Sequence, residues 1–186
     1  KVDSYAAYVQ DQWQVNDKLY IIPSLRFEHS SQFGSEVTPK VGLTYNFNNF
    51  WRFKANYGLG YKAPTITELY MRMHRAMGPM TVNIYGNPEL DPEKSKSFDF
   101  SVEADKGAWF GKVTYFNNKV TNLITTERFT GPTGPSDYRY VNVDDAQING
   151  IEAEVGRRIG KRWTTKITHN WLDAIDKKKH TQLDNR

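Results

Sequence analysis

The stretch Trp51-Arg52-Phe53-Lys54-Ala55-Asn56-Tyr57-Gly58-Leu59-Gly60-Tyr61-Lys62 decides the fold. Every odd position is apolar and every even position is polar or glycine. A helix would scatter these residues around its axis, whereas a strand sorts them onto two faces. The same alternation recurs outward from this segment. Tyr5, Ala7, Val9, Trp13 and Val15 oppose Ala6, Tyr8, Gln10, Gln12 and Gln14, and Leu19, Ile21, Leu25 and Phe27 oppose Ser24, Arg26 and Glu28. Val41, Leu43 and Tyr45 oppose Lys40, Gly42, Thr44 and Asn46. Downstream, the pattern predicts strands over about 97–105, 108–125, 138–157 and 162–174, with Tyr115-Phe116 placing an aromatic on each face of the least regular one.

Composition says what kind of sheet this is. The 186 residues include eleven Tyr, ten Phe and five Trp, yet mean hydropathy is −0.70. Rings alternating with charges and amides give that combination, as transmembrane β-strands do. No run approaches the ~18 apolar residues of a membrane helix, so a membrane-spanning chain of this sequence is a barrel, the other way to satisfy backbone groups in lipid. The net charge of +4 is spread along the chain, with Lys177-Lys178-Lys179 its only dense run, which argues against nucleic-acid binding. Cysteine is absent, excluding thiolate metal sites, thiol catalysis and disulfides.

The links sharpen the picture. Tight turns at Asn16-Asp17-Lys18, Asn46 to Asn49, Asp105-Lys106-Gly107 and Ile159-Gly160-Lys161 alternate with long links at 30–39, 63–96 and 126–137 and another from Asp176. Outer-membrane barrels arrange periplasmic turns and extracellular loops in this way. The expected fold is therefore all-β, an antiparallel up-and-down meander of about eight long strands forming part of a transmembrane barrel. Residues 1–186 are expected to be one stretch of barrel wall, with no plug domain and no native termini. The alternatives are a small standalone outer-membrane barrel or a soluble calyx binding a small ligand.

Two boxes inside the 63–96 link and its borders carry a family resemblance. Tyr61-Lys62-Ala63-Pro64, followed by Glu68-Leu69-Tyr70 and then Gly86-Asn87-Pro88-Glu89-Leu90-Asp91-Pro92-Glu93, resembles the paired boxes of TonB-dependent receptors. Haem receptors of that family write them FRAP and NPNL; here Phe-Arg becomes Tyr61-Lys62 and the third residue of the second box is Glu89. Tyr8-Val9-Gln10-Asp11-Gln12-Trp13 and Ile148-Asn149-Gly150-Ile151-Glu152-Ala153-Glu154 resemble recurrent strands of the family's barrel. The resemblance implies a larger parent with an N-terminal plug, recruitment of the TonB complex through that plug, and outer-membrane lipid and lipopolysaccharide around the barrel. It implies gated import of a metal chelate, without covalent chemistry.

Candidate site residues follow from the same link. All four methionines fall in Met71-Arg72-Met73-His74-Arg75-Ala76-Met77-Gly78-Pro79-Met80. Met and His are soft ligands suited to haem iron or copper, and Arg72 and Arg75 suit propionates or an anionic chelate. Thr65-Ile66-Thr67-Glu68 has capping-box spacing, which predicts a helix whose apolar stripe is Ile66, Leu69, Tyr70, Met73 and Met77. On that helix Met73 and Met77 pack, while Met71 and His74 share another face and are the better ligands, with Arg72, Arg75 and Tyr85 beside them. Haem receptors of the family place a histidine between the boxes, as His74 lies here. The expected cargo is haem or a ferric siderophore, with copper and cobalamin as further possibilities and no covalently bound cofactor. No resident metal site is expected. His29, His169 and His180 read as a solvated strand end, an interfacial position and a Lys-rich loop, and no nucleophile, base and orienter occur at recognisable spacings, so no catalytic residue is expected.

Overall fold

One cross-strand row shows why the chain folds as it does. Trp13, Ile21, Leu43, Ala55, Phe100, Tyr115, Ile151 and Trp171 lie side by side in unbroken register. The next row, on the opposite face, reads Gln14, Tyr20, Thr44, Lys54, Ser101, Thr114, Glu152 and Asn170. The computed structural model describes residues 2–77, 80–131, 134–177 and 181–182, with side chains for all of these except 75–77, 80–81, 134–136 and 144. Its elements are β1 (Ser4–Gln10), β2 (Trp13–Gln14), β3 (Leu19–Ser30), β4 (Gly34–Asn46), β5 (Trp51–Lys62), α1 (Ile66–Tyr70), β6 (Arg72–Met77), β7 (Met80–Tyr85), β8 (Glu93–Lys106), β9 (Trp109–Gly131), β10 (Gly134–Ile159), β11 (Trp163–Asp176) and β12 (Thr181–Gln182). The sheet runs β1-β3-β4-β5-β8-β9-β10-β11-β12, antiparallel along this path. The all-β meander read from the alternation is the observed fold.

The apolar face stands open. Large side chains on it are strongly exposed, among them Val9, Trp13, Leu43, Tyr57, Phe100, Tyr115, Ile151, Trp163 and Trp171. Covering each with hydrocarbon stabilises the sheet by about 2 kcal/mol, a gain that water cannot supply. Among the described residues the buried aliphatic side chains besides Pro64 are few: Leu69, Leu90, Val120 and Ala146. The other face is braced by polar contacts. Glu103 receives Lys54 at 2.8 Å and Arg52 at 3.5 Å, Asn56 donates to Asp99 at 2.8 Å, and Lys166 meets Glu154 at 3.0 Å.

All four tight turns lie at one end, in two designs. Asn16 and Asn48 each accept two backbone N–H bonds with the side-chain oxygen, from Lys18 and Leu19 and from Phe50 and Trp51. Gly107 and Gly160 instead turn the chain with φ of +61° and +60°.

The other end differs from expectation. The predicted links 30–39 and 126–137 are mostly strand: β3 and β4 are joined across 31–33, and β9 and β10 pair out to Phe129↔Asp137 and Gly131↔Gly134. With 23 and 26 residues, β9 and β10 far exceed the ~10 that a tilted bilayer crossing needs, so their outer halves project beyond it. The 63–96 link holds α1 and the β6–β7 hairpin, which joins the outer edge of β10 through parallel Tyr138↔Ile84 and Arg139↔Tyr85 pairs. Two prolines shape the sheet. Between Gln10 and Trp13 the first strand keeps the Asp11 N–H bond to the Pro23 carbonyl at 3.1 Å but lacks the return bond, which Pro23 cannot donate, and β4 stays paired to β5 only up to Lys40↔Gly58, next to Pro39.

On the polar face the rings of Phe110 and Phe116 lie over Gly156 and Gly150, their direct partners on β10. A Cβ at Gly156 would overlap the Phe110 ring. Gly156→Val is therefore expected to destabilise the folded barrel by about 1–3 kcal/mol through overpacking. Adding Phe110→Ala should recover part of that loss, measured as the fraction migrating in the heat-resistant folded form on unboiled gels.

Candidate functional site

The two sequence boxes meet and form a clasp at the root of the β6–β7 hairpin. Thr65 caps α1, accepting from the Glu68 N–H at 3.2 Å, while the Glu68 carboxylate accepts from the Thr65 N–H at 2.7 Å. The helix stops at Tyr70, and Gly86 lies against its end: the Gly86 N–H donates to the Met71 carbonyl at 2.7 Å and the Asn87 N–H to Glu68 at 2.9 Å. A Cβ on Gly86 would run into the backbone of Leu69, Tyr70 and Met71, so only glycine fits. Asn87 then holds the wall, donating to the Tyr140 carbonyl at 3.2 Å, and accepts from the Glu89 N–H at 3.0 Å. Asp91 exchanges two bonds with Asn142 of β10. Pro64, Leu69 and Leu90 are buried.

Lys62 ties the clasp to the strands. Its ammonium reaches Glu93 at 2.8 Å and Glu68 at 3.1 Å, and Glu93 also accepts from the Ile124 N–H at 3.2 Å. Both bonds run from the Lys62 ammonium to carboxylate oxygens. For Glu68, on α1, burial opposes ionisation, and the Thr65 and Lys62 bonds overcome it and lower its pKa. Of the motif residues Tyr61, Lys62, Ala63, Pro64, Asn87, Pro88, Glu89 and Leu90, those with polar contacts therefore spend them within the chain.

The predicted helical stripe through Met73 and Met77 is overturned. The chain is extended from Arg72, so residues two apart share a face, not residues three or four apart. Met71 and His74 consequently do not share a face, and the packing role assigned to Met73 and Met77 on a helix lapses. Arg72 pairs with Tyr85 and His74 with Asn83, which puts His74, Arg72, Asn83 and Tyr85 together. The side chains of Arg75, Met77 and Met80 lie outside the described residues.

His74 is held by a relay. Asn83, fully buried, donates from its amide nitrogen to the buried Asp137 carboxylate at 2.7 Å. Its amide oxygen faces His74 Nδ1 at 2.5 Å, and an amide oxygen only accepts, so the proton sits on Nδ1. A neutral His74 ring then carries its lone pair on Nε2, on a residue that is itself exposed. Tyr85 meets the imidazole edge-on at 6.5 Å and Phe129 at 5.9 Å, and Arg139, paired with Glu127 at 2.7 Å, covers the Phe129 ring. Among the described residues no three His, Asp or Glu side chains gather as a metal cage. The arrangement offers one nitrogen ligand, cations and aromatic rings.

Sequence reasoning missed Asn83, Phe129, Asp137 and Arg139. The period-two run Thr81-Val82-Asn83-Ile84-Tyr85 is a strand signal that places Asn83 with Tyr85. No sequence signal links Asn83 to a residue on β10.

The chain matches a family model described as TonB dependent receptor-like, beta-barrel, over residues 1–186. It is 28% identical over 184 residues to the vitamin B12 transporter BtuB of Photobacterium profundum, covering 99% of this chain and 28% of that protein. It is 29% identical over 161 residues to the iron-regulated outer membrane virulence protein of Vibrio cholerae, covering 80% of this chain and 24% of that one. The siderophore receptor PirA of Pseudomonas aeruginosa superposes with a TM-score of 0.79 at 20% identity, over 93% of this chain and 36% of its own. The copper transporter OprC gives 0.79 at 17% identity, over 98% and 30%. The chain thus spans roughly a quarter of the relatives it matches.

The clasp has an acid limit. Glu68 is depressed, so its contribution is present above the unfolded carboxylate value of ~4.3 and lost as pH falls through its folded value. Hydrogen exchange of residues 66–92 in the folded protein is expected to be slow above about pH 5 and to speed up as pH falls through the folded Glu68 value, after correction for the intrinsic rate. Thr65→Ala should speed exchange by the ~1 kcal/mol of a lost helix cap, with that of β8 unchanged.

Proposed function

Because the chain belongs to the TonB-dependent receptor-like β-barrel family, we propose that it is part of the wall of an outer-membrane receptor that imports an iron complex, a ferric siderophore or haem. The observation that carries the cargo reading is His74: its Nε2 is presented by a buried Asn83–Asp137 relay, beside Arg72 and Tyr85, on a hairpin beyond the membrane-spanning part of the sheet. An imidazole with a fixed tautomer suits an iron with a vacant coordination position, as in haem. The cations Arg72 and Arg139 with the rings of Tyr85 and Phe129 suit an anionic, aromatic chelate equally. The curated relatives, one transporting vitamin B12 and one iron-regulated, support metal-bearing cargo as a class.

In this reading the end with tight turns faces the periplasm. The polar face lines the lumen, where Arg52, Lys54, Glu103 and Glu154 meet a plug domain. Cargo captured at the hairpin shifts that plug, and the TonB complex opens it. The chain's task is binding and gating, with no covalent step.

Two measurements test this. In intact cells a cysteine replacing the exposed Thr130 is expected to react with an impermeant maleimide, while one replacing Lys106 should not; the reverse pattern would invert the topology. For cargo, His74→Ala in the whole receptor should abolish growth on haem as sole iron source if haem is carried. Unchanged haem-dependent growth would remove His74 from the site, and no growth on haem even with the parent receptor would leave the siderophore.

A further inference from the structure

The relay behind His74 crosses a boundary between two pieces of chain. His74 and Asn83 belong to the β6–β7 hairpin, whereas Asp137 belongs to β10. Among the described residues the ladder between hairpin and wall is two pairs long, Tyr138↔Ile84 and Arg139↔Tyr85. Asn83 and Asp137 stand one residue before that ladder, on a shared face, and both are buried. A carboxylate placed in so small a contact is unfavourable unless its bonds are made there. Gly131 of β9 leaves the room for it, since a Cβ at that position would overlap the Asp137 carboxylate.

Control runs outward from Asp137. A carboxylate only accepts hydrogen bonds, so Asn83 meets it with the amide nitrogen, at 2.7 Å. The amide is planar, so its oxygen is then turned to His74 Nδ1, at 2.5 Å, and that oxygen requires the proton there. Without the carboxylate, nothing in the relay forces this orientation. Turned over, the amide offers N–H to Nδ1, which moves the neutral ring's proton to Nε2 and removes its outward lone pair.

We propose that docking of the hairpin on β10 is what makes His74 a ligand, with Asp137 a positioning residue that acts through Asn83 to keep Nε2 free. Undocked, Asn83 loses Asp137 and the ring loses its fixed tautomer. Docking and ligation are therefore coupled, and by linkage a metal centre held at Nε2 tightens the hairpin on the wall by the factor that docking tightens the metal. The inference deepens the His74 reading given above and rests on it.

The test uses the whole receptor in detergent, with histidine labelled at both ring nitrogens and His74→Ala to assign the signals. At alkaline pH the His74 Nε2 resonance of the parent is expected where unprotonated imidazole nitrogen falls. D137N should move it toward the protonated value. G131A should do the same while touching neither His74 nor Asn83, and it serves as the second variant should D137N not fold. N83D/D137N reverses the inner bond, because the new carboxylate at 83 accepts from both Nδ1–H and the new amide at 137; it should return the resonance to the parent position. Ferric protoporphyrin, followed by its Soret absorption, should bind D137N about 10–100-fold more weakly than the parent, the usual cost of losing the partner behind a histidine ligand. In the parent it should also slow hydrogen exchange of residues 82–85, and in D137N leave it unchanged. An Nε2 resonance that stays in place in D137N, or that N83D/D137N fails to restore, would overturn the proposal, as would equal slowing of exchange in parent and D137N. If the parent does not bind the porphyrin, the haem reading alone falls, because the nitrogen resonance still decides whether Asp137 sets the tautomer.

Discussion

Everything in this molecule hangs on the backbone's need for hydrogen bonds where no water can supply them. In hydrocarbon an unpaired N–H or C=O costs several kcal/mol, so a strand survives only while both neighbours stay in register. Register in turn fixes side, because successive side chains point opposite ways. The row from Trp13 to Trp171 remains apolar across the whole meander only because no strand slips by one residue. The places where pairing does lapse are chemically marked: Pro23 and Pro39 lack the N–H that an interior strand must donate.

The tight turns serve the same constraint from one end. Each must reverse the chain quickly enough to keep the next strand aligned, and each uses a device that fixes its own backbone. Asn16 and Asn48 do so through side-chain acceptors, and Gly107 and Gly160 through left-handed φ. Arg158 adds a clamp across three strands: its guanidinium binds both oxygens of Asp105 and the Gly107 carbonyl while covering the Phe110 ring. That ring lies over Gly156, so one aromatic is fixed from two sides on the polar face.

How much of this could be read beforehand depended on contrast between faces. Where one face meets lipid, as in Trp51–Lys62, alternation is nearly perfect and the strand, its face and its turns are legible. Above the membrane both faces meet water, the contrast fades, and the outer halves of β9 and β10 read as Thr/Gly/Pro-rich loop although they are paired strands. The segment after α1 failed for a different reason. Apolar residues at Leu69, Tyr70, Met73 and Met77 fit a helical period, and the capping box at Thr65 made that reading attractive. What ends the helix is non-local: Gly86 and Asn87 take the Met71 and Glu68 carbonyls and turn the chain into the hairpin. The relay behind His74 joins residues 54 apart in sequence and left no local trace.

The clasp also shows how the side chains of the two boxes are used. Lys62 holds Glu68 and Glu93, Gly86 abuts α1, Asn87 holds Tyr140, and Leu90 is buried. Side chains so engaged have little left with which to select a ligand. Their effect is to plant the root of a hairpin at a fixed height on β10, so that whatever residues 71–85 present is delivered to the same place. In the proposed reading selectivity resides in the hairpin's exposed positions, and in this chain the relay has committed one of them. With Nδ1 tied to Asn83, His74 has a single nitrogen to offer, and the fold has decided its direction.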